Sequence, residues 1–118
     1  MGMSASKNKV QLVGYLGADP EIRVTTTGKK VARFNVATNE TYQNSQGEKV
    51  TETQWHHLVG WGHLADQAEQ DLRKGIEVSV EGKIVYRSYL DKDGVKKYVT
   101  EVNVFEFTVL EAGAKHEV

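Results

Sequence analysis

Only one stretch of this chain spaces its apolar residues for a helix. In His63–Gly75, Leu64, Ala65, Ala68 and Leu72 fall at i, i+1, i+4 and i+8, a single stripe. Arg73 and Lys74 close the stretch where cations suit the helix dipole, and Gly75 is a natural cap. Asp66, Glu69 and Asp71 on the other face read as a solvated surface. The remaining apolar residues lie in short, mostly alternating runs, so the core has to be built from strands with one helix against them. At 118 residues there is room for one such core.

The runs follow one another in order. KVQLVGYL (Lys9–Leu16) sets Val10, Leu12 and Leu16 against Lys9, Gln11, Val13 and Tyr15, with a bend at Gly14. GADP (Gly17–Pro20) is a turn, after which Glu21–Thr26 reads as a short continuation of the first strand. Lys30–Thr38 places Ala32, Phe34 and Val36 on one face and Val31, Arg33, Asn35 and Ala37 on the other. The polar stretch 39–51 is a long hairpin arm turning at Ser45-Gln46-Gly47, with Tyr42 its only aromatic. After the helix, Ile76, Val78, Val80, Gly82 and Ile84 face inward, and the parity carries Val85, Arg87 and Tyr89 outward. DKDG (Asp91–Gly94) turns into Val95–Leu110, which is apolar on both parities, a pattern of a strand between layers or in a subunit contact. Strand, strand, strand, helix, strand, strand is the order of an OB-fold: a five-stranded barrel with long hairpin arms. An SH3-like barrel does not normally hold a full helix there. Residues 1–8 read as a flexible N-terminus, 9–110 as the domain and 111–118 as a short frayed C-terminus.

The stretch TQWHHLVGWG (Thr53–Gly62) asks for more than a structural reading. Trp55, His57, Val59 and Trp61 point one way; His56, Leu58 and Gly60 point the other. Paired tryptophans on a strand are usually core residues, since indole burial is strongly favourable. Here Leu12, Phe34, Val36, Leu58, Val78, Val80, Ile84 and the helix stripe can fill a small barrel without them. Trp55 and Trp61 then form a stacking platform, with Tyr42, Tyr89, Arg33, Lys83 and Arg87 at its border and His57 as a polar contact. Interleaved rings and cations suit single-stranded nucleic acid, whose bases all have a π-face and whose linkages all carry a phosphate.

Composition excludes several classes. There is no cysteine, so disulfide and thiolate chemistry are absent. The formal charge of −1 confines any positive surface to a local patch. No run approaches the roughly 20 apolar residues of a membrane span, and residues 1–8 lack a secretory signal's apolar segment. His56 and His57 alternate across a strand and cannot readily share an ion, and no carboxylate sits at ligand spacing beside them. No nucleophile elbow, Walker A or G-x-G-x-x-G segment is present. Neither catalysis nor a metal or cofactor is expected. An RNA-binding OB module and an adaptor whose aromatic face meets protein remain open on the residues alone.

NKVQLVGYLGADPEIR (Asn8–Arg23), VARFNVATNETY (Val31–Tyr42), TQWHHLVGWGHLAD (Thr53–Asp66), LRKGIEVSVEGKI (Leu72–Ile84) and YLDKDGVKKYVTEV (Tyr89–Val102) are five collinear blocks. Together, over roughly 8–110, they resemble the bacterial-type single-stranded DNA-binding proteins. The resemblance implies an OB-fold assembled as a homotetramer that wraps single-stranded DNA without sequence specificity, in a bacterial cytoplasm at the nucleoid, during replication, recombination and repair. It implies stacking roles for Trp55, Trp61, Tyr89 and Tyr42, and basic contacts from Lys9, Arg23, Arg33, Lys74 and Arg87. Val85, His57, His63 and Ser88 stand where many members carry a basic residue. Many bacterial members end in a Gly/Pro/Gln-rich linker and an acidic tip that recruits repair and replication enzymes. This sequence stops at GAKHEV with neither, so binding without that recruitment is expected.

Overall fold

Alternation becomes strand wherever it was expected, and the computed structural model, which describes residues 7–111, closes those strands into one barrel. The strands are β1 (Val10–Leu16), β2 (Glu21–Val24), β3 (Lys30–Gln43), β4 (Lys49–Trp61), β5 (Glu77–Leu90) and β6 (Lys96–Glu111). The helix α1 (His63–Asp71) lies between β4 and β5. Of the expected flexible ends, only Lys7, Asn8 and Glu111 fall within the described residues. Asn8 is tied to the barrel: its side chain donates to the Ile84 carbonyl and accepts from the Ile84 N–H, at 3.1 and 3.0 Å.

The ring runs β1–β5–β6–β4–β3 and back to β1, a closed five-stranded OB barrel. Its pairings are antiparallel except β4–β6, which is parallel at Leu58–Val102 and Val59–Asn103. β1 and β2 behave as one strand interrupted at Gly17–Pro20. β1 closes on β3 at Tyr15–Ala37 and Leu16–Val36, and β2 follows β3 from Glu21–Arg33 to Val24–Lys30. At Gly14 the strands approach so closely that a Cβ would sit 2.1 Å from the Ala37 carbonyl oxygen, so only glycine fits.

Leu16, Ala32, Phe34, Val36, Leu58, Val78, Val80, Val102, Val104 and Phe107 fill the barrel, and Leu64, Ala65, Ala68 and Leu72 plug one end. Phe107 meets Phe34 edge to face with centroids 6.4 Å apart. The double apolar parity of β6 has a local cause. A bulge opposite Glu81–Gly82 adds one residue, so Val102 and Val104 face inward before it and Phe107 after it, while Phe105 is thrown outward.

The helix is shorter than its sequence pattern. It ends at Asp71 because Leu72 turns extended to reach the core, where it is fully buried. Arg73 and Lys74 therefore follow the helix. Arg73 still serves its end, donating from Nη1 to the Glu69 and Leu72 carbonyls at 2.8 and 2.6 Å. Gly75, at φ 87°, forms the turn into β5 rather than the cap. Asp66 and Glu69 are more than solvating: both accept from Lys30 Nζ at 2.6 Å, fastening the helix to β3.

Candidate nucleic-acid interface

Strand alternation leaves one face of the curved sheet outside the barrel, and cross-strand register decides what shares it. Four rows can be read across it. Arg23 lies opposite Val31, and Val31 opposite Trp61. Glu21, Arg33, Val59, Asn103 and Lys83 form the next row, over five strands. Asn35 pairs with His57, and beyond it Tyr15, Ala37 and Trp55 align. The two tryptophans thus stand at opposite ends of one aromatic and cationic surface.

Both indoles are surface residues, 55% exposed at Trp55 and 43% at Trp61. The surplus expected from a core already filled by the other face is what the structure shows. Trp55 is not loose, however. Its ring lies against Gly17, where a Cβ would come within 2.5 Å of Cζ3. Trp61 borders an open concavity of about 720 Å³ with Lys29, Lys30, His63 and Asp66. Tyr89 is 50% exposed farther out on the β5–β6 arm, opposite Lys97.

Tyr42 is not brought to this surface by the register. It pairs with Val50, in the alternate set that runs down through Glu52 and His56 to Leu58, and its hydroxyl donates to Glu52 at 3.2 Å. Lys74 also lies off the sheet rows, in the turn after α1, where its N–H bonds Asp19 Oδ1 at 2.9 Å.

The cations are more neutralised than the sequence suggested. Arg23 is bound by Glu21 at 2.7 Å and Lys9 by Glu81 at 3.6 Å. Arg33 and Arg87 converge on one carboxylate, Glu101, which is only 6% exposed. Lys83 makes no ion pair among the described residues. Sequence reading passed over Glu101, although it is the only charged residue in YVTEVNVF (Tyr98–Phe105) and sits on an outward position. The hydrogen bond from Arg87, and then that from Arg33, hold its carboxyl below the usual carboxylate range against the opposing effect of burial.

His57 Nδ1 and Asn35 Oδ1 are 2.8 Å apart on the outer face, while His56 Nε2 meets the Thr38 hydroxyl at 2.9 Å on the other. Among the described residues no three His, Asp or Glu gather as metal ligands. Burial, then the neighbouring His57, pushes the His56 imidazole below its ordinary pKa. The unfolded chain therefore binds this proton more readily, and stability falls as pH drops below about 6.5, the unfolded value. Urea unfolding across that range is expected to show the decline, and His56→Asn to flatten it; an unchanged slope in the variant would remove His56 as its source.

The model of the single-strand binding protein family matches residues 7–110. The chain is 45% identical over 114 residues to single-stranded DNA-binding protein 1 of Chlorobaculum tepidum, covering 96% of this chain and 69% of that protein. It is 41% identical over 107 residues to single-stranded DNA-binding protein 1 of Xylella fastidiosa, covering 90% and 79%. Among solved structures it is similar to a Plasmodium falciparum SSB complex with ssDNA, at TM-score 0.80 and 32% identity over 88% of this chain and 95% of that one. A deletion mutant of the single-stranded DNA binding protein from Thermus aquaticus matches at TM-score 0.78 and 30% identity, over 89% and 51%.

Proposed function

The chain belongs to the single-strand binding protein family and binds single-stranded DNA, and we propose that it does so by stacking bases on Trp55, Trp61 and Tyr89. It is a binding protein, not an enzyme. The observation that carries the proposed site is the pair of half-exposed indoles on a face the core does not need. Stacking accepts any base, which makes binding indifferent to sequence. Lys83, Arg23, Arg33, Arg87 and Lys9 meet phosphates around the rings, and His57 adds a polar contact. Tyr42 joins from the β3–β4 arm and Lys74 from the turn after α1, each where the DNA passes beyond the rows of the sheet. In the cell this protects exposed single strands at the bacterial nucleoid during replication, recombination and repair.

The working unit we propose is a homotetramer. Tyr86, Leu90 and Tyr98 on the β5–β6 arm and Val13 on β1 are large apolar residues left exposed by the single chain. Val10–Val13 pairs with β5 alone, which leaves its other edge open to a second copy.

Titration with oligo-dT, read by tryptophan fluorescence at two salt concentrations on a sample of measured solution mass, tests both statements. The expected result is stoichiometric quenching by a four-chain species. Its affinity should fall with salt, at about −0.7 in log–log slope per phosphate neutralised. Binding without quenching would move both tryptophans off the bases, and a single-chain mass would remove the tetramer.

A further inference from the structure

We infer that Glu101 is a positioning residue for single-strand binding: it holds Arg33 and Arg87 as one fixed, phosphate-facing fork. This deepens the function proposed above and rests on it. Arg33 donates from Nη1 to Glu101 Oε2 at 2.7 Å. Arg87 is bidentate, Nε to Oε1 at 3.1 Å and Nη2 to Oε2 at 3.0 Å. The three groups come from three elements, β3, β5 and β6, and meet at the middle of the outer face. Asn35 and His57 line the same shallow cleft as Arg33 and Glu101, beside Ala18 and Asp19.

Two properties separate this carboxylate from a surface acid. It is buried, so withdrawing both arginines would leave an uncompensated charge without water. The side chains of Arg33 and Arg87, in contrast, are each over two fifths exposed. A guanidinium has five N–H donors in a rigid plane, and Glu101 takes one from Arg33 and two from Arg87. That leaves four donors on Arg33 and two or more on Arg87 that Glu101 does not take, and a phosphate can take those without displacing Glu101. The trio carries net charge +1, and its arginines lose little side-chain freedom on binding because that freedom is already gone.

An acid in a DNA-binding face has an opposing reading, in which Glu101 competes with phosphate and weakens binding. Glu101→Gln separates the two, because it raises the local charge while breaking the fork. Positioning predicts about tenfold weaker binding of fluorescein-labelled oligo-dT, with a salt slope no steeper than wild type. Competition predicts tighter binding and a steeper slope, and either that outcome or unchanged affinity overturns the inference. Should Glu101→Gln unfold, Arg33→Lys keeps the charge and loses the planar fork at a half-exposed position. It should weaken binding several-fold on the same grounds, and wild-type affinity would overturn the inference equally. In a folded double variant the losses should not add, since both changes break one fork. Wild-type protein run alongside isolates the underlying function: if it fails to bind oligo-dT, that reading falls, whatever the variants do.

Discussion

Replacing Trp55 and Trp61 together by alanine is expected to cost about 2–6 kcal/mol of single-strand affinity, at about 1–3 per stacked base. The fold should survive. Both rings are half exposed, and neither belongs to the cluster that fills the barrel. Their removal uncovers Val31 and Ala37, the small buried residues opposite them, and that burial is worth about 1–2 kcal/mol in all. The loss should be the same for oligo-dT, oligo-dA and mixed sequences, because a π-face is common to every base. Anisotropy of labelled oligonucleotides measures the first effect, and urea unfolding followed by circular dichroism the second. A variant that binds as tightly as wild type while unfolding far more easily would make both tryptophans structural.

The largest effect on stability is expected at a residue with no side chain. Gly14→Ala would place its Cβ 2.1 Å from the Ala37 carbonyl oxygen and 2.9 Å from Val36 Cγ1. The obstruction is backbone, not the end of a mobile side chain. It stands where β1 turns from β5 to close the ring on β3. Relief requires the two strands to part, which undoes the closure, so a loss of about 3 kcal/mol or more is expected. Equilibrium urea unfolding measures it. A midpoint within error of wild type would show that the seam can open without cost.

Much of this architecture was legible in the residues because alternation reports burial directly. Ala32, Phe34, Val36, Leu58, Val78 and Val80 went inside as their parity required. The tryptophans went outside because those residues left no room for them. Features set by a partner far along the chain were not legible. The helix ends early because Leu72 reaches the core, a contact that helical spacing alone cannot express. Between Val102 and Phe107 the inward face of β6 changes parity because a bulge throws Phe105 outward, which alternation alone could not express. Tyr42 was grouped with the tryptophans by type, whereas the hairpin register puts it in the other alternate set. The pairing of Arg33 and Arg87 with Glu101 spans 68 and 14 residues, so counting cations along the sequence overstated the free positive charge.

The place of β6 in the ring has a consequence for synthesis on the ribosome. Among the described strands it is the last made, and it alone joins β5 to β4. Until it emerges, the nascent chain can form the β3–β4 hairpin, but the edge of β4 that will receive Val102 and Asn103 has no mate. Pairings between distant segments are slow to form, and unmated edges are where chains associate wrongly. Folding of this domain is therefore a late event, triggered by the final strand rather than accumulated along the way. A ribosome stalled between β5 and β6 would present an open sheet carrying both tryptophans, with no closed barrel behind them.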